Sequence, residues 1–119
     1  MTQLHDWLGL HWQWVDFLEK EGHRVNGAEG LAFSLVSTNG TGKHFRWVLL
    51  TAKGASRSLR TTEKEELTFH MRQASRRGES IFVVIWFRKP VSKVIVVPAR
   101  RALKLKRVTS SKGSIPWDG

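Results

Sequence analysis

The stretch RWVLLTAKGAS, residues 46–56, carries four consecutive apolar residues and ends on a lysine set among small ones. An apolar run this short, closed by a Lys-Gly turn, predicts a β-strand, and its flanks extend it over 44–52. Upstream, Thr38-Asn39-Gly40-Thr41-Gly42 is a cluster of turn formers, and 31–36 is a second apolar stretch. The two strands are therefore expected to form a β-hairpin. Gly40-Thr41-Gly42-Lys43 superficially resembles a phosphate-binding loop, but its spacing is wrong and no helix follows, so a hairpin turn is the better reading.

On the N-terminal side, Leu4, Trp7, Leu8, His11, Trp14, Val15 and Leu18 recur at the spacing of one helix face, and Gly22 follows as a stop. On the C-terminal side, Thr62-Glu63-Lys64-Glu65 has the form of a capping box, with Glu65 as its acidic member. The helix it opens is predicted to run through Leu67, Met71 and Ala74 to Gly78. Residues 81–87 form a nearly continuous apolar run, expected to be a strand buried on both faces. Lys89-Pro90 turns the chain into a further strand over 91–97. Pro98 then suits the first turn of a short basic helix over 99–106. The strand–helix–strand passage from Ala52 to Ile81 implies a parallel pair with a right-handed connection. The expected fold class is α/β, a mixed sheet flanked by helices, in the order αβ(β)βαββα. Residues 1–108 read as a single domain and 109–119 as a C-terminal tail that orders on contact.

With 119 residues, the chain is long enough for one core and too short for two. Cysteine is absent, which excludes a disulfide framework and thiolate metal sites. The five histidines contain no pair at zinc-ligand spacing, and no serine sits in a nucleophile elbow. No apolar run suffices for a membrane span, and the N-terminus does not read as a signal peptide, so the expected location is cytoplasmic, without membrane attachment.

Charge is the most informative feature. Twenty Lys and Arg stand against ten Asp and Glu, giving a net charge of +10. No acid falls between Glu29 and Glu63, nor between Glu79 and Asp118. The first gap holds Lys43, Arg46, Lys53, Arg57 and Arg60. The second holds Arg88, Lys89, Lys93, Arg100, Arg101, Lys104, Lys106, Arg107 and Lys112. Such a surface suits a polyanion, because each neutralised phosphate releases condensed counterions. The expected partner is nucleic acid, with DNA, branched or duplex, preferred and RNA as an alternative. The cations singled out for contact are Lys53, Arg57, Arg60, Arg100, Arg101, Lys104, Lys106, Arg107 and Lys112, with Ser56 and Ser58 adding neutral hydrogen bonds to phosphate oxygens. Six tryptophans occur without a tyrosine. Trp7, Trp14, Trp47 and Trp86 fall in core-like contexts, whereas Trp12 and Trp117 are the candidates for surface contacts.

Thr51-Ala52-Lys53, His70-Met71-Arg72-Gln73, Phe82-Val83-Val84-Ile85, Val97-Pro98 and Gly113-Ser114-Ile115-Pro116 follow one another along the chain. In this order they resemble Holliday-junction resolvases of the RecU type, within the restriction-endonuclease-like (PD-(D/E)xK) fold. Archaeal junction resolvases offer a similar order of elements. The resemblance implies that fold, a two-fold homodimer, a role at recombination or repair intermediates, and magnesium as cofactor in the members that cut. It also implies a carboxylate pair that this sequence lacks. The aspartate position falls near Ser34, the glutamate position at Thr51 and a first-helix glutamate near His11 or Trp12, while the lysine is kept as Lys53. Hydroxyl groups amid cations cannot neutralise a hard divalent ion, so no metal or other cofactor is expected at these vestigial positions. The expectation is a binding protein with a degenerate site. Two alternatives stand beside it: an active magnesium-dependent endonuclease whose acids have moved to Glu29 or Glu65, and an RNA-binding or adaptor protein.

Overall fold

The computed structural model describes residues 2–26, 34–88, 92–109 and 115–116, with 2–8 and 115–116 described through their backbone alone. Helix α1 (Thr2–Lys20) leads into β1 (Arg24–Asn26), β2 (Ser34–Thr38) and β3 (His44–Ala52). After the two-residue strand β4 (Ser56–Arg57) come α2 (Thr61–Arg77), β5 (Glu79–Phe87) and β6 (Lys93–Pro98). Helix α3 (Ala99–Lys104) and the short strands β7 (Val108–Thr109) and β8 (Ile115–Pro116) complete the order.

Among the described residues six strands form one mixed sheet in the order β1-β2-β3-β5-β6-β8, and β4 pairs with β7 in a separate two-stranded ribbon. Among the described strands only β3 and β5 run parallel, joined through α2, while the other neighbours are antiparallel. The turn between β2 and β3 is built by Asn39, whose Oδ1 accepts hydrogen bonds from Thr41 N, Thr41 Oγ1 and Lys43 N. This side chain closes the loop much as a backbone turn would, and Gly42 supplies the positive φ of 86°. The hairpin reading of the glycine-rich segment is therefore correct.

Strand parity divides the core. Trp47 and Leu49 of β3, with Val84 and Val96, pack under Leu10, Trp14 and Leu18 of α1. The alternate residues Val48, Leu50 and Ala52, with Val83, Ile85, Phe87, Ile95 and Val97, pack under Leu67 of α2 and Ala99 and Ala102 of α3. Covered on both sides, the two parallel strands need apolar residues at successive positions, which explains the continuous runs that revealed them. Each large aliphatic or aromatic side chain buried here contributes roughly 1.5–3 kcal/mol relative to exposure.

Ser37 is fully buried on the α1 face. Its hydroxyl oxygen accepts a hydrogen bond from Trp47 Nε1 at 2.8 Å and lies 2.9 Å from His23 Nδ1. Helix α2 ends at Gly78 in the left-handed region, φ 68° and ψ 31°, where a side chain would be strained. The helix starts one residue earlier than Thr62, and its capping acid is Glu63, not Glu65. Arg60 is the N-cap, and Glu63 Oε1 accepts its backbone N–H at 2.8 Å. Helix α3 ends at Lys104, two residues before its expected limit, because Leu105 is extended, with ψ at 137°. The strand over 31–36 is seen as Ser34–Thr38, and its first residues lie outside the described ones, as do Lys89-Pro90 and Val91.

Candidate nucleic-acid interface

The apolar run of β3 ends at Ala52, and the chain then bends through Lys53-Gly54-Ala55 into β4. Ser56 pairs with Thr109 and Arg57 with Val108. This ribbon was not foreseen, because two-residue strands carry no periodicity. Its consequence is to fasten the loop after β3 to the segment after α3. Two basic stretches far apart in sequence, one with Lys53 and Arg60 and the other with Lys104, Lys106 and Arg107, flank the same ribbon. All five are exposed, as are Arg100 and Arg101 of α3. Among the described residues none of these seven cations enters an ion pair. Lys112 and Trp117 lie outside the described residues.

Arg57 is placed differently. Its Nε donates to the Thr51 carbonyl at 2.8 Å and its Nη1 to the Ser58 carbonyl at 2.6 Å. Nη1 and Nη2 also hold Glu63 through both carboxylate oxygens, at 2.8 and 2.6 Å. One guanidinium thus ties the end of β3, the loop and the first turn of α2 together. This bidentate, charge-assisted geometry is the strong form of the interaction. Burial pushes the Glu63 pKa up, but hydrogen bonds from Arg57 and the Arg60 backbone and the charges of both arginines outweigh it, leaving the group below its ordinary value. Arg57 braces the cationic edge from within.

Ser34 and Thr51, the positions that the resemblance assigned to the carboxylates, do not converge. Ser34 lies opposite Val48, on the face covered by α2, whereas Thr51 shares the parity of Trp47 and Leu49, on the α1 face. A one-residue offset on a strand moves a side chain to the other side of the sheet. Thr51 is half-buried, and Lys53 just beyond it is exposed. The carboxylate tied to this strand end is Glu63, with both oxygens already taken by Arg57. Glu65 stands exposed on α2, and Glu29 lies outside the described residues. Among the described residues no three His, Asp or Glu side chains gather as metal ligands. A hydroxyl, a lysine and a committed Arg–Glu pair do not fit a magnesium ion, which takes hard oxygen donors with carboxylate charge.

Arg46, counted among the surface cations by composition, is buried on the α2 face of β3. Its Nε donates to Glu79 Oε1 at 2.7 Å, and its Nη1 lies 3.3 Å from His70 Nδ1. Burial and then the Arg46 charge lower the His70 pKa, against an opposing pull from Glu66. His70 is thereby a structural group. Trp14 and Trp47 are core residues, and Trp86 is half-buried, with Nε1 donating to Ser92 Oγ at 2.9 Å. Trp12 is exposed as its position off the helix stripe implied. Phe69, the other large exposed apolar residue among the described ones, was missed, although it too falls off the Leu67–Met71–Ala74 stripe of its helix.

No family model and no curated protein sequence matches the chain. Among solved structures it is similar to Hjc of Archaeoglobus fulgidus, a Holliday junction resolvase from an archaeal hyperthermophile. Sequence identity is 17%, the TM-score is 0.63, and the match covers 85% of this chain and 81% of that one. The chain therefore has the restriction-endonuclease-like α/β fold of that resolvase. No helix among the described residues is long and apolar enough to cross a membrane.

Proposed function

We propose that this chain is a DNA-binding protein on a junction-resolvase scaffold, gripping branched or duplex DNA by its phosphates without cutting it and working as a homodimer. The observation that carries this reading is the β4–β7 ribbon, which unites the exposed cations Lys53, Arg60, Lys106 and Arg107, with α3 leading directly into it. Backbone contacts of this kind fix position and supply affinity without reading bases. Arg57 keeps the edge rigid through Glu63, so less conformational entropy is lost on binding. The ordered motifs around Lys53, His70 and Ile115 support a RecU-type affiliation within the resolvase group.

The donor set supports the non-cleaving reading. In-line attack on a phosphodiester at a metal site requires carboxylates that hold the ion beside the scissile phosphate. At the end of β3 the chain offers Thr51 and Lys53, and its nearby acid is neutralised internally. The test is binding and cleavage of a four-way junction, plain duplex and structured RNA, side by side in EDTA, magnesium and manganese. Tight, metal-independent binding of junction or duplex with intact strands is expected. Metal-dependent cutting abolished by Lys53→Ala would overturn the non-cleaving assignment, and preference for structured RNA would overturn the choice of DNA.

A further inference from the structure

Helix α2 carries a surface that phosphate binding does not use. Phe69 is 57% exposed, on the side of the helix opposite the buried Leu67 and Ala74. At 3.6 residues per turn, Glu65 and Glu66 lie one turn before it on the same outward surface, and Arg72 and Gln73 one turn after it. Glu65, Glu66 and Arg72 are exposed, and among the described residues none is in an ion pair. Residues a heptad apart share a flank of a helix. Glu65 and Arg72 therefore lie on one side of Phe69, and Glu66 and Gln73 on the other.

This arrangement is complementary to itself in one orientation. When a second α2 crosses antiparallel with the two-fold axis at Phe69, each Arg72 meets Glu65 of the second copy. Each Gln73 likewise meets Glu66 of the second copy, and the two Phe69 rings cover one another. A parallel crossing would set acids level with acids and is disfavoured. A nucleic acid is also a poor occupant, since Glu65 and Glu66 would repel its phosphates at the ring.

We infer that α2 is the homodimer interface of this protein, an isologous antiparallel helix pair centred on Phe69 and registered by Glu65 and Arg72. The inference takes from the proposed function only the expectation of two copies. It is tested without nucleic acid, so its failure and the failure of DNA binding are separable. The self-contact leaves α3 and the β4–β7 ribbon of each copy available, so the dimer presents two cationic edges.

Sedimentation of the full chain over a range of concentrations reads the equilibrium directly. Phe69→Glu should raise the dimer dissociation constant by roughly tenfold or more, as loss of a central aromatic does. Glu65→Arg and Arg72→Glu should each weaken the dimer, while the double exchange E65R/R72E restores it by recreating the pair in reverse. These side chains are exposed, so the variants should fold, and circular dichroism verifies that they do. A wild-type protein that remains monomeric would overturn the inference. So would a dimer indifferent to Phe69→Glu, a double exchange that fails to rescue, or a Phe69→Glu variant whose principal loss is DNA affinity in the monomer.

Discussion

Arg46 and Arg57 lie on one strand and the loop that follows it, yet they do different work. A charge count assigns both to the cationic surface, because it has no direction. Parity supplies the direction: Arg46 alternates with Trp47 and so falls on the face that α2 covers. There its guanidinium meets Glu79 with side-chain exposures of 9% and 5%. A buried pair of this kind is weak evidence of net stabilisation, but removing one partner strands the other charge. Arg46→Met should therefore lower unfolding free energy by about 3–5 kcal/mol, measured by chemical denaturation. Arg46→Met with Glu79→Leu should recover most of that loss. Recovery would be absent if Glu79 were held mainly by other groups.

At the level of elements, the long ones were legible and the short ones were not. Helix α1 and strands β3 and β5 follow from apolar spacing, and β3 was anticipated to its end residues because both boundaries are turns. Strands β1, β4 and β7 span two or three residues each and exist only through their partners. The start of α2 shows a finer limit. Two acids lie at plausible capping spacing, and only the position of Arg57 decides that Glu63 performs the capping. The response to acid draws on groups from several elements. His11, His23 and His70 all have pKa values lowered from 6.5 in the folded protein, chiefly by burial. A lowered histidine contributes fully above its unfolded value, and that contribution is lost as pH falls through the shifted one. Stability should thus decline progressively from about pH 6.5 downward, and His70→Gln should flatten this decline. Glu63, lowered from 4.5, adds a further loss below that value as its bond to Arg57 is protonated away. Denaturation midpoints measured from about pH 7.5 to about pH 3 trace both phases, and a flat profile would refute the assignment.

Across the molecule, charge is segregated. Asp16, Glu19 and Glu21 are exposed on and just beyond the last turns of α1, whereas α3 and the β4–β7 ribbon carry no acid. The sequence revealed the excess of cations and the lack of carboxylates in the hairpin. It did not reveal that residues 53–60 and 104–107 are stitched together, since that depends on a four-residue ribbon with no local signature. Nor could it place Ser34 and Thr51 on opposite faces, because a shift of one residue in strand register looks the same in the sequence. The central proposition is that this stitched edge grips phosphates by charge. It is measured by the salt dependence of duplex DNA affinity for the wild type and for the K106A/R107A variant. The log–log slope should shrink by roughly 0.9 for each contacting cation removed, so by roughly 1.8 for the pair, while Lys20→Ala on α1 leaves it unchanged. An identical slope in wild type and K106A/R107A would contradict the proposition.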